Sequence, residues 1–339
     1  MRRILIGLFV LLVLGLGGLF GAWRWVETSA ENPIDPSDTE GAEVEIPKGA
    51  TLQKIGLSLH EKGYVASPFV WKVYLRLHGA PEPKAGRHKL KKSMNLAAIL
   101  AELAGPPLPD DIAVKIVEGW RIRDTDEALS KEGLFPAGAY AEAAKHKERF
   151  KLSFAVPEAD LEGYLYPETF AVPRASPINV DLLIQRQLDA FRDRFYVPYQ
   201  ADIEKSGRSL HEVVVMASLL EREETKPEMR PKVAGVLYKR LDAKNPLGVD
   251  ATSHFSLPNW NDRPGLLRQL KDAEDPYNTR LRAGLPPGAI GAPSLPSLIA
   301  ALRPESSEFW YYLHDSTGTI HFAKDGAGHE ANRKKYNVY

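Results

Sequence analysis

The chain has 339 residues, about twice the length of a common domain, and its 44% apolar and 26% charged content is that of an ordinary globular protein. Its formal net charge is zero, so no basic field recruits nucleic acid. It contains no cysteine, which excludes disulfides, thiol nucleophiles and thiolate metal sites together.

Met1-Arg2-Arg3 precedes Ile4 to Trp23, twenty residues without a charge. As a helix rising about 1.5 Å per residue, that run matches the roughly 30 Å hydrocarbon core of a bilayer. Basic residues before it, and Glu27, Glu31, Asp35, Asp38 and Glu40 after it, predict a single span with the N-terminus in the cytoplasm. A cleaved signal peptide would have a shorter apolar region and a small-x-small cleavage site. Here the run leads into Trp23, Arg24 and Trp25 instead, and an uncleaved anchor is expected. Glu27 to Ala42 is acidic, Ser- and Pro-containing and free of basic residues, the composition of an exposed tether. Sixteen such residues reach at most about 55 Å when extended.

A short strand is predicted at Glu43–Ile46, ended by Pro47-Lys48-Gly49. Helices follow at Thr51–Lys62 and, behind the Ser67-Pro68 cap, through Leu77 to Gly79. Gly86–Leu90 closes the unit as a second strand. This strand–helix–helix–strand order is similar to a LysM module, the small fold many proteins use to hold peptidoglycan. A helix near Leu96–Leu103 comes next, and Gly105-Pro106-Pro107-Leu108-Pro109 marks a boundary.

Beyond it the pattern is mixed, which makes the whole chain α+β. A strand is predicted at Ile112–Val117, with helices near Arg123–Lys131 and Val180–Phe195. Ser209-Leu210-His211-Glu212 is a capping box, and the helix it opens ends near Lys226, before Pro227. A helix from about Lys232 to Leu241 follows. The last hundred residues are predicted to hold turns and short strands, with positive φ at Gly288 after Pro287.

Glu223 is the leading candidate for chemistry. At about 100° per residue it falls on the Met216/Leu220 stripe of the capping-box helix, with Glu221 and Glu224 on its flanks. Loss of solvation and the negative helix end both raise the pKa of a carboxyl placed there, as a general acid near neutral pH requires. A buried Glu surviving as half of an ion pair fits the same geometry.

Several ordered segments then agree. Val117-Glu-Gly-Trp120, Glu162-Gly-Tyr-Leu-Tyr-Pro-Glu-Thr169, Ala217-Ser-Leu-Leu-Glu-Arg-Glu223, Val233–Leu241, Leu247-Gly-Val-Asp-Ala-Thr252, Tyr277-Asn-Thr279, Gly284–Ile290 and Phe309-Trp-Tyr-Tyr-Leu313 together resemble the endolytic murein transglycosylase (YceG-like) family. The resemblance implies a membrane-anchored lyase on the outer face of the cytoplasmic membrane. It would cut the N-acetylmuramic acid–N-acetylglucosamine bond of nascent peptidoglycan strands, leave 1,6-anhydro ends and so terminate elongation. The resemblance also implies the second Glu of Glu-x-Glu, Glu223, as the catalytic acid. The expected organisation is a cytoplasmic tip at 1–3, a transmembrane helix at 4–23, a tether at 24–42, a LysM-like subdomain at 43–108 and a catalytic domain at 109–339. Asp250, Thr252, Asn278 and Thr279 are candidates to line a sugar groove, and Tyr277, Tyr164 and Tyr166 to stack on pyranose rings; taken singly, each fits a structural turn or a half-buried aromatic better. Two positions depart from the family pattern: Gly248-Val249 stand where Gln-Thr/Ser is common, and Arg280 stands where an aromatic is usual.

Two other functions fit the same segments, a non-catalytic peptidoglycan-binding scaffold and a hydrolytic muramidase. Glycan strands and the membrane are the expected partners, peptidoglycan synthases are candidates, and no cofactor is expected. His314-Asp315, His321, Asp325 and His329-Glu330 match no helical metal motif, and no metal is expected.

Overall fold

The protein is described from a computed structural model, in residues 2–79, 81–157, 160–175 and 177–338. The chain divides into two compact units, residues 1–110 and 111–339.

The first unit begins with helix α1, Arg2–Glu31. The predicted span falls within it, but the side chains at 4–8, 10–12 and 19 lie outside the described residues. Among the described residues no helix is long and apolar enough to cross a membrane. The tether expected from residue 24 takes a different form. The helix runs on to Glu31 because Val26 and Ala30 find a core to enter and are buried there. The acidic stretch after it is strapped down: the Asp38 carboxylate accepts the Lys92 and Gly41 N–H groups at 2.7 and 2.9 Å, and Asp35 N–H reaches Lys92 O at 3.0 Å. Residues read as solvating charge are acceptors for loop N–H groups.

Strand β1, Ala42–Ile46, pairs antiparallel with β2, Gly86–Leu90, around helices α2, Leu52–Glu61, and α3, Pro68–His78. Thr51 and Ser67 cap the two helices as their types predict. Trp71 of α3 is buried against Gly56 of α2, where a Cβ would lie 2.4 Å from the indole, and its Nε1–H donates to Leu52 O at 2.9 Å. The predicted element order is present, and that order is what the structure carries of the LysM-like reading. Helix α4, Leu96–Ala104, completes the core with Leu96, Ile99, Leu100 and Leu103.

In the second unit, strand β3, Asp111–Lys115, pairs antiparallel with β4, Thr169–Pro173, on either side of helices α5, Ile122–Lys131, and α6, Ala139–Ala144. Helices α7, Val180–Phe191, and α8, Gln200–Ser206, lead to α9, Leu210–Glu223. After α10, Arg230–Asp242, come α11, Asp250–Phe255, α12, Arg263–Gln269, and α13, Leu295–Leu302. A hairpin of β5, Tyr311–His314, and β6, Ile320–Ala323, and helix α14, Gly326–Tyr336, end the chain.

The C-terminal hundred residues are therefore more helical than predicted. α13 was hidden by Pro296, which a first turn tolerates because its missing N–H has no intrahelical partner there. α9 is the centre of the unit: Val213 to Leu220 are all buried, with α13, α10 and α11 packed on it. A helix buried all round has no single stripe, so the stripe on which Glu223 was placed is one side of a fully enclosed rod.

Candidate active site

Both halves of the capping box at the start of α9 are made: Ser209 Oγ accepts Glu212 N–H at 3.2 Å, and Glu212 Oε2 accepts Ser209 N–H at 2.8 Å. The far end stops at Glu223, where Glu224 turns extended, three residues ahead of Pro227. The core-facing rod thus delivers three carboxyls within four residues, and their surroundings separate them completely.

Glu221 is locked. Arg230, itself buried, reaches its two oxygens at 3.0 and 3.2 Å, and Ser294 adds N–H and O–H donors at 2.9 and 2.5 Å. Glu224 is buried at 1% exposure, accepts Lys226 N–H at 2.8 Å and meets His314 Nε2 at 3.2 Å. Glu223 is half-buried and makes no salt bridge among the described residues. It lies in a cleft of about 970 Å³, together with Asp250, Trp260, Arg280, Tyr312 and His314. Burial pushes its pKa above the ordinary carboxyl value, and the nearby Asp250 charge adds to this. The Tyr312 hydroxyl, donating to Oε2 at 2.9 Å, pulls the other way. Tyr312, buried beside that carboxyl, is held well above the usual phenol range and so remains a donor. With Oε2 already an acceptor, a proton on Glu223 belongs on Oε1.

The other predicted contacts divide. Asp250 lines the cleft, but Arg280 takes both its oxygens, at 2.5 and 2.8 Å. Arg280, one of the two positions at which the sequence reads as departing from the family pattern, is thus the residue that occupies Asp250. Thr252, Asn278 and Thr279 are buried, not cleft-lining. Thr252 Oγ1 donates to Val249 O at 2.7 Å, Thr279 Oγ1 accepts Val249 N–H at 3.0 Å, and Asn278 Nδ2 donates to Gln269 O and Asp272 O. Their polar groups fix the loops that carry Asp250 and Arg280. Tyr277 packs on Phe255, ring centroids 4.7 Å apart, outside the cleft lining. Tyr164 and Tyr166 are buried in the core, unable to stack on a sugar. Positive φ occurs at Gly284 and Gly291, not at Gly288. Gly291 is required by contact, since a Cβ there would sit 2.4 Å from Gly119 O.

Among the cleft residues that the sequence reading did not assign to a site are Tyr312, His314 and Trp260. Tyr312 and His314 share a face of β5 by the two-residue strand period, and Tyr312 lies in the Phe309–Leu313 segment. Trp260 is held with the Arg222 guanidinium 3.6 Å from its ring and His254 stacked at 5.0 Å, a cation–π support for a half-buried aromatic in the cleft lining. No local pattern marks Trp260. Of the C-terminal histidines, His314 meets Glu224 at 3.2 Å, His321 meets Asp315 at 2.8 Å and His329 stacks on Tyr311. Among the described residues no group of three His, Cys, Asp or Glu can hold a metal ion.

A carboxyl raised in pKa and without a salt bridge among the described residues, set in an open cleft of about 970 Å³ on an α+β scaffold, has the arrangement that acid–base chemistry requires. The chain belongs to the YceG-like family, which its residues 44–335 match. It is similar to the endolytic murein transglycosylase of Streptococcus pneumoniae serotype 2, 29% identical over 96% of this chain and 63% of that protein. It is also similar to the Bacillus subtilis strain 168 protein of the same name, at 27% identity over 93% of this chain and 90% of that one. The chain thus spans under two thirds of the streptococcal relative's length. The crystal structure of a YceG-like protein from Listeria monocytogenes shares the fold, with a TM-score of 0.60 over 86% of this chain and 98% of that one, at 24% identity.

Proposed function

We propose that the protein is an endolytic lytic transglycosylase. It cleaves the N-acetylmuramic acid–N-acetylglucosamine bond inside nascent peptidoglycan strands, leaves 1,6-anhydro ends and thereby ends strand elongation. One observation carries the reading: of the three carboxyls at the end of α9, Glu223 alone is in the cleft and without a salt bridge among the described residues, and burial raises its pKa. Its Oε1 proton passes to the leaving glycosidic oxygen as the C1–O bond breaks. The sugar's own 6-hydroxyl closes on C1, and its proton returns to the Glu223 carboxylate, so no water enters and one carboxyl serves both steps.

A hydrolytic muramidase would need a second free carboxylate. Asp250, the one beside Glu223 in the cleft, is engaged at both oxygens by Arg280, which favours the lyase. A scaffold that binds without cutting gives no reason to keep an acid proton-ready. The relatives' names, the uncharged run at 4–23 and the element order of the first unit support placing the enzyme on the outer face of the cytoplasmic membrane as a single-span protein, with a LysM-like module and peptidoglycan synthases nearby. Mass spectrometry of the fragments released from purified glycan strands tests the chemistry. Fragments lacking one water per cut are expected; fragments with water added mean a muramidase, and none at all mean a scaffold.

Tyr312 supplies a pH test. Because its hydroxyl lowers the Glu223 pKa, Tyr312→Phe raises that pKa further. The acid then stays protonated to higher pH, and the alkaline limb of the pH–rate profile moves upward. Losing a hydrogen bond to a charged group lowers the maximal rate by roughly 10- to 100-fold. An unshifted limb would mean that Glu223 is not the group titrating.

A further inference from the structure

Helix α1 does not hand over to a flexible tether. It continues without a break into the first unit, where Val26 and Ala30 are buried. His78 at the end of α3 meets Glu27 at 3.0 Å, and Trp25 stacks on Phe69 of α3 with ring centroids 6.3 Å apart. Trp23 is three residues ahead of Val26, a rise of about 4.5 Å along a helix. Wherever the outer end of α1 sits, α3 sits beside it.

The outward face of α3 is unusual for a surface exposed to water. Phe69 and Leu77 are 57% and 53% exposed, and Trp25 beside them is 52% exposed. Phe69, Lys72 and Arg76 recur at helical spacing on that face, and Lys72 and Arg76 are exposed. Phe69 also borders a groove of about 460 Å³ that it shares with Leu57 of α2, which is 44% exposed. Exposed aromatics and leucines set among lysine and arginine make the composition of a helix lying in a membrane interface, apolar groups toward the acyl chains and cations among anionic headgroups. The described part of α1 carries the same exposed apolar character inward from Trp25, at Trp23, Phe20, Leu16, Leu14, Val13 and Phe9.

We propose that the α3 face of the first unit is a membrane seat. Trp25, Phe69 and Leu77 enter the lipid interface, and Lys72 and Arg76 contact anionic headgroups, so the unit rests on the bilayer surface instead of ranging above it. The occupant is lipid because the face continues the apolar surface of α1 and the exposed Lys72 and Arg76 of α3 are cationic. This rests on the reading of residues 4–23 as a membrane span.

The absence of cysteine allows one unique label per chain. Full-length Leu14→Cys, Phe69→Cys and Leu77→Cys, each carrying an environment-sensitive fluorophore, are reconstituted into vesicles of phosphatidylcholine and phosphatidylglycerol. The lipids are brominated either deep or shallow in the acyl chain. The expected result is quenching of position 14 by deep bromines and loss of roughly half the emission at positions 69 and 77 with shallow ones. That loss is expected to weaken when phosphatidylglycerol is omitted. Because the label at 69 disturbs the Trp25 stack, position 77 is the independent check. If position 14 is quenched while 69 and 77 are not, the seat is overturned and the span stands; a protein partner would then be the occupant of the α3 face. If position 14 itself is unquenched, the span is wrong and the seat falls with it.

Discussion

Glu223→Gln is expected to cut release of anhydro-ended fragments by about 10²–10⁴-fold, the usual worth of a positioned proton donor, while the protein keeps its fold. The amide has the shape of the carboxyl, and its oxygen can still accept the Tyr312 hydroxyl that now reaches Oε2 at 2.9 Å; only the transferable proton is lost. Stability provides the control, and its sign is opposite to that of a salt-bridged acid. Burial raises the folded pKa of Glu223 above the ordinary 4.5, so between those two values the folded state binds more protons than the unfolded one. Wild-type stability therefore declines as pH rises through that window, and the Gln variant lacks the decline. The variant should melt no lower than wild type at neutral pH and above. Full activity in Glu223→Gln would place the acid elsewhere and end the proposal.

The α9 rod was legible from sequence because its signals are local. A capping box, an apolar run and a following proline fix both ends to within a few residues, and one of the carboxyls near the end had to be sheltered. Which one, and by what, is decided by residues far along the chain. Arg230 and Ser294 take Glu221, His314 takes Glu224, and Tyr312 reaches Glu223 across 89 positions. The remaining cleft wall comes from α11, α12 and the C-terminal hairpin and helix, where no periodicity predicts which side chains converge. For Thr252, Asn278 and Thr279 the sequence left groove and turn both open, for a related reason. Polar residues in turn-rich segments serve a ligand or satisfy the turn itself, and only the hydrogen-bond partners of each hydroxyl and amide distinguish the two. The acidic stretch after α1 failed in the same way: charge and proline describe a tether until Lys92 and Gly41 offer their N–H groups to Asp38. Composition describes what a segment can do when nothing is nearby.

The second large effect is expected at Arg230, and it separates structural from chemical roles within Glu-x-Glu. Arg230 and Glu221 have only 6% and 7% of their side chains exposed. The guanidinium also donates to Glu224 O at 2.8 Å and Ser294 Oγ at 3.0 Å, so one side chain closes the end of α9 against the segment leading into α13. Arg230→Ala strands a buried carboxylate and two other acceptors at once. Breaking such a pair costs about 3–5 kcal/mol, far above the 0–1 kcal/mol of an exposed pair, and a clear fall in melting temperature should accompany the loss of activity. Replacing both partners together, Glu221→Met with Arg230→Met, leaves no unpaired charge, and such exchanges are often neutral. The double variant should recover most of the melting temperature lost by Arg230→Ala. Glu223→Gln does the reverse, removing activity without lowering the melting temperature. Were Arg230→Ala to melt like wild type, the pair would be screened in solution, and the distinction drawn between Glu221 as the fastening of the helix end and Glu223 as its working group would fail.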